Sequence, residues 1–221
     1  MVKALNPGAR IALIVLAVGF VVAGVLLAGA IPAVEGLGEK VRLPMFHGGS
    51  TWVNLVTFSI MGLLALAYLV FKREDLYRWA AGFRWVSAPL WLLNTVLGVI
   101  AAINTWDFSG SSTPPLTVIR DDPRLMAQFT LLIVLLALIV VQTLFDSRAM
   151  KAFADVTFAA VLWFVMGRLF LDPQARALHP DNPVLNSASD IQIPFFAIVG
   201  CIFVACVLVA WLVRDALVRA E

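Results

Sequence analysis

Charge is scarce in this chain: only 14% of its 221 residues are Asp, Glu, Lys or Arg, against roughly 25% in a water-soluble domain. A soluble enzyme with a charged exterior is excluded. A nucleic-acid partner is excluded with it, because no sizeable basic tract occurs. Histidine is scarcer still, with His47 and His179 the only two. A zinc site needs three or four ligands, and no cysteine lies where it could join these two. The two cysteines, Cys201 and Cys206, sit in the last apolar block at a spacing that suits a helical disulfide poorly. They read as small hydrophobes. The absence of CxxC and CxxCH excludes covalent haem attachment and thiol exchange. Phosphate-loop, dinucleotide, HExxH and GxSxG patterns are also missing.

What the chain has in abundance is apolar sequence, 62% of its residues, arranged in long blocks. Six blocks stand near 11–31, 51–71, 83–103, 125–145, 150–171 and 193–213. Each holds about 20 residues, the length a helix needs to cross about 30 Å of hydrocarbon. The first follows a basic start, MVKALNPGAR, but is longer than a cleaved leader's core and reads as a retained helix. The fifth is the most interrupted, by Asp155 and Arg168. The expected fold is therefore all-α, a polytopic transmembrane bundle of six helices forming one integral membrane domain over 1–221.

An even number of spans leaves both termini on one side. Ten basic residues fall there, from Lys3 and Arg10 through Lys72, Arg73, Arg78, Arg84, Arg148, Lys151 and Arg214 to Arg219, against six opposite. The positive-inside rule then places the termini in the cytoplasm. Three longer loops, about 32–50, 104–124 and 172–192, face outward, so docking or chemistry is expected on that face.

Both histidines share it. His47 lies in PMFHGGSTWVNL just before the second span, and His179 in RALHPDNPVLN between the fifth and sixth. Two imidazoles above one leaflet can serve as axial ligands of a single haem b, since neutral imidazole nitrogen suits haem iron. Gly48 and Gly49 leave room for a flat ring or simply permit a turn, and Ser50 or Thr51 can cap the span. The plainer account is that histidine is commonplace at a membrane interface. The loop TWDFSGSSTPPLTVIRDDPRLMAQF adds Trp106, which can stack on a porphyrin or belong to an interfacial aromatic belt. Arg120, Arg124 and, from the fifth span, Arg168 can pair with propionates; Arg168 can equally reach lipid headgroups. Asp122-Pro123 reads as a helix cap followed by a first-turn proline. Asp155 is a candidate intramembrane acid near the cytoplasmic start of the fifth span, read as snorkelling or capping ahead of proton transfer. Asn54, Asn94, Gln128 and Gln142 read as interhelical hydrogen-bonding groups.

The order FHGGSTWVNL, then NTWDFSG with RDDPRLMAQFTLL, then ALHPDNP resembles the CcmC-like haem-handling proteins of cytochrome c maturation. In that family six spans frame an outer tryptophan-rich loop with a histidine on either side. His47 and His179 match those positions, and Asp122, Pro123, Arg124 and Leu125 echo the end of the central motif. The resemblance spans about residues 10 to 185. It implies a bacterial cytoplasmic (inner) membrane protein, without independent catalytic activity, that binds haem through His47 and His179. The central loop here keeps only Trp106 and inserts SGSSTPPLTVI. Transient haem delivery and permanent electron transfer at the outer face, with cytochrome c or quinone as partner, therefore both remain open. So does a non-catalytic subunit of a respiratory or photosynthetic membrane complex, docked to other membrane or periplasmic subunits. A small transporter has weak support, since no repeated broken-helix pattern occurs.

Overall fold

A computed structural model of the chain describes residues 4–171 and 189–220. Helix α1 (Pro7–Gly29) starts behind Asn6, whose side chain accepts the Ala9 N–H at 2.8 Å. A short loop follows, in which Gly36 and Gly38 take φ values of 81° and 57° and let Val34 pair with Gly38. A 3₁₀ turn (Glu39–Val41) leads into α2 (Arg42–Phe71). The Arg42 Nε–H donates to the Ile31 carbonyl at 3.2 Å, tying the loop to the start of that helix. Two residues then turn the chain into α3 (Glu74–Thr105), with Lys72 in the left-handed region at φ 54°. The short α4 (Pro115–Asp121) precedes α5 (Pro123–Thr143), which begins as its sequence expects: Asp122 accepts the N–H groups of Arg124 and Leu125 at 3.0 and 2.9 Å. The described helices end with α6 (Arg148–Leu171) and α7 (Ser189–Arg219).

Six of the described helices, all but α4, are long and apolar enough to cross a membrane, and the chain is a multi-pass membrane protein. Each expected span is present, but α2 begins nine residues earlier than its apolar block, and α3 likewise. Both extensions carry polar or turn-forming residues that hydropathy alone assigns to loops.

Helices α2 and α3 form the central antiparallel pair. α6 and α7 pack on α2, α7 and α5 on α3, and α1 leans mainly on α7. Lipid tails are as apolar as leucine, so close packing and interhelical hydrogen bonds must hold such a bundle. Small residues permit the approach. A methyl added at Gly82 would lie 2.5 Å from the Ala210 carbonyl oxygen of α7. Gly24 similarly admits Cys201, whose Cβ would be 3.5 Å from such a methyl, in keeping with a small packing residue. At mid-depth Phe58 meets Phe158 and Trp91 edge-on, with centroids 4.7 and 6.0 Å apart, and all three rings are buried. Large apolar side chains such as Val15, Leu26, Leu63 and Phe164 remain on the outside, as a lipid-facing surface requires.

The end carrying both termini is laced by ion pairs. The Leu5 N–H donates to Asp215 at 2.6 Å, and Arg219 holds the same carboxylate at 3.0 Å. Arg214 reaches Asp75 at 2.5 Å. Deeper in, Asp155 is 1% exposed and meets Arg84, while Gln142 Nε2 donates to it at 2.8 Å. The snorkelling and capping readings of Asp155 are thereby corrected, and Arg84 is a core residue, not part of the basic flank.

Candidate functional site

His47 is not in a loop. It stands in the second turn of α2, half-buried, and Ser50 and Thr51 lie beyond it in the same helix, so neither caps the span. The proline and two glycines around it are compatible with helix for separate reasons. Pro44 occupies the first turn, where backbone N–H groups have no intrahelical partner. Gly48 and Gly49 receive α7: methyl groups there would lie 3.6 Å from Phe195 and 3.4 Å from Ile198. Their smallness serves helix packing, not a turn.

The His47 ring points to α3. Its Nδ1 is 3.1 Å from the main-chain carbonyl oxygen of Asn94. A carbonyl oxygen can only accept, so Nδ1 carries the proton, and in the neutral ring Nε2 carries the lone pair. Gly98, one turn further along α3, makes this approach possible. A methyl at that position would come within 2.8 Å of the His47 Cε1 and 3.2 Å of both Gln128 Oε1 and Leu125 Cδ2.

The Asn94 side chain grips the same turn of α2. Its Nδ2 donates to Thr51 Oγ1 at 2.8 Å, and Thr51 Oγ1 donates to the His47 carbonyl at 3.0 Å. Ser50 Oγ, with one proton to give, lies 2.5 Å from Asn94 Oδ1 and 2.9 Å from the His47 carbonyl. Ser50 and Asn94 are both fully buried. One residue of α3 thus holds His47 through its ring and through its backbone. Sequence reading marked Asn94 only as a generic interhelical group and did not single out Gly98. A lone glycine in a long apolar helix was the available signal for the second.

The remaining residues are placed around this end of the bundle. Trp106, half-buried after the last turn of α3, packs near Phe108 at 6.3 Å, in a small cluster with Ala102, Ile119 and Leu125. Leu125 links that cluster to His47 across Gly98. Arg124 lies half-buried in the first turn of α5. Arg120 is exposed, and its hydrogen bond to Asp121, 2.9 Å away, pushes its guanidinium still further up from the ordinary value. Arg168 is exposed near the end of α6, with its guanidinium 5.9 Å from the Phe164 ring centroid. His179 lies outside the described residues. Of the described helices, α7 packs on α2 at Gly48, next to His47.

Among the described residues, no group of three or more His, Cys, Asp or Glu is gathered to hold a metal ion. Axial ligation of haem needs no such cluster, only two correctly presented nitrogens. The chemistry of His47 fits such a demand: with Nδ1–H engaged by the Asn94 carbonyl, Nε2 is the ring nitrogen that would hold the iron. No protein-family model matches the sequence, and no curated protein matches it.

Proposed function

We propose that this multi-pass membrane protein binds haem b at the end of the bundle opposite its termini, where His47 and His179 would hold the iron. The observation that carries this reading is the Nδ1 contact from His47 to the Asn94 carbonyl, which presents Nε2 as a donor. The resemblance to CcmC-like haem-handling proteins supports it, since His47 and His179 match that family's two histidines. Trp106 offers a ring near the Leu125 cluster, and Arg120, Arg124 and Arg168 supply cations at the same end for propionates.

Bound haem supplies one-electron chemistry or is itself the cargo. The chain's own residues hold and orient it, and none of them is assigned bond-making chemistry. With the termini in the cytoplasm, as the basic residues favour, the site faces outward from a bacterial inner membrane. A single tryptophan in the central loop favours a protein that keeps its haem for electron transfer with cytochrome c or quinone over one that delivers it.

A non-catalytic subunit of a respiratory or photosynthetic complex is the second reading. It is favoured by the ion pairs and polar ties that engage much of the interior in helix packing. Titration of the purified protein with haemin, followed by visible absorption, separates the two. Saturable binding of one haem with a six-coordinate, low-spin spectrum supports the first. Haem-free protein recovered at fixed ratio with a membrane complex supports the second.

A further inference from the structure

We propose that Asn94 is the positioning residue of the His47 site, selecting the Nδ1–H tautomer with its main-chain carbonyl while its carboxamide fixes the turn of α2 that carries the ring. The two halves act on different degrees of freedom. The carbonyl contact at 3.1 Å decides which ring nitrogen holds the proton. The chain from Asn94 Nδ2 through Thr51 Oγ1 to the His47 carbonyl, together with Ser50 Oγ at 2.5 Å from Asn94 Oδ1, fixes the backbone beneath the ring. All the partners lie within one turn on each helix, so a shift of α2 against α3 would break several of these bonds together.

Gly98 is the steric half of the device. Every side chain other than hydrogen at that position meets the imidazole edge, at 2.8 Å for a methyl, and would push the ring off the Asn94 carbonyl. The glycine therefore opens a slot against α3 that matches the histidine ring. The inference rests on the haem reading only for what Nε2 is presented to, since the tautomer and the clamp belong to the protein itself.

The chain's two histidines make the test simple. His179→Ala protein carrying ¹⁵N-labelled histidine has one imidazole, and long-range ¹H–¹⁵N correlation above the ordinary histidine pKa of about 6.5 reads its tautomer. In haem-free protein, a protonated-type shift on Nδ1 and an unprotonated-type shift on Nε2 are expected. A proton on Nε2, or shifts averaged between the two forms, overturns the proposal. Asn94→Leu removes the carboxamide and keeps the carbonyl, whereas Gly98→Ala keeps both and displaces the ring. Each is expected to give averaged tautomer shifts at unchanged helix content. In the chain that keeps His179, each is also expected to weaken haemin binding by the roughly 10–100-fold usual when a ligand's supporting group is lost. Variants that keep both the single tautomer and the parent affinity overturn it. Should either variant fail to fold, the unsubstituted Asn94 and Gly98 protein still decides the tautomer. If haemin does not bind the wild-type chain while the Nδ1–H form stands, the haem reading falls and the positioning role survives it.

Discussion

Arg84 of α3 and Asp155 of α6 face each other inside the bundle, with one guanidinium nitrogen, Nη1, 3.0 and 2.9 Å from the two carboxylate oxygens. Their side chains are only 6% and 2% exposed, and Gln142 of α5 completes the group. Three helices are therefore joined through a charge pair that water does not reach.

Removing one member strands the other. Asp155→Ala or Arg84→Ala is expected to cost about 3–5 kcal/mol, whereas an apolar pair of similar volume, Arg84→Met with Asp155→Leu, recovers most of it. Unfolding midpoints in detergent for the two single variants and the double variant measure the effect. Equal losses in all three would mean that volume, not charge, governs the contact.

Asn54 of α2 and Asn94 of α3 are both fully buried. The Asn94 carboxamide is engaged at both ends, whereas neither Oδ1 nor Nδ2 of Asn54 has a hydrogen-bond partner among the described residues. Asn94→Leu is expected to destabilise by about 1–3 kcal/mol, while Asn54→Leu is neutral or stabilising, because no bond is lost there. Side-by-side chemical unfolding reads the difference, and the reverse order would refute this division of labour.

At Gly82 the neighbour is the α7 backbone, which cannot rotate aside. Gly82→Ala would place a methyl 2.5 Å from the Ala210 oxygen and 3.2 Å from its carbonyl carbon. A loss of about 1–3 kcal/mol is expected from such overpacking. Gly19→Ala, where nothing lies within 4 Å, serves as the control and should be silent or slightly stabilising. Thermal scans of the two variants check this.

The loop after α3 carries an acid-sensitive turn. Asp107 accepts the Ser109 N–H at 2.9 Å, and that backbone bond, with a further one from the serine side chain, holds its carboxyl below the ordinary 3.8. A depressed folded value means the bond is intact above the unfolded pKa and is lost as pH falls through the folded one. The Ser109 amide should therefore lose protection from exchange only below that ordinary aspartate value. Amide exchange across the acid range should show the step in wild type and not in Asp107→Asn. Protection that changes near neutral pH instead would assign the turn to another group.

Hydropathy marked where the chain crosses, because a run of about twenty apolar residues matches the hydrocarbon thickness that a helix must span. It did not mark where the helices begin. PMFHGGS carries a proline and two glycines, residues that usually punctuate loops. Only the α7 side chains packed on Gly48 and Gly49 show why the helix persists through them. The Arg84–Asp155 pair was illegible for a different reason. Its members are 71 positions apart, on helices that do not follow one another in the chain, and a charge near the end of an apolar run normally snorkels. His47 was visible as a candidate ligand, but its supporting groups, a backbone carbonyl and an absent side chain at Gly98, leave no residue-type signature in a single sequence.

The most direct measurement is the reduced-state visible spectrum of the purified protein loaded with one equivalent of haemin, recorded for wild type and His47→Ala. Low-spin, b-type absorption in wild type, lost or converted to a high-spin form by the substitution, is the predicted result. An identical spectrum in both proteins would show that His47 does not ligate the iron.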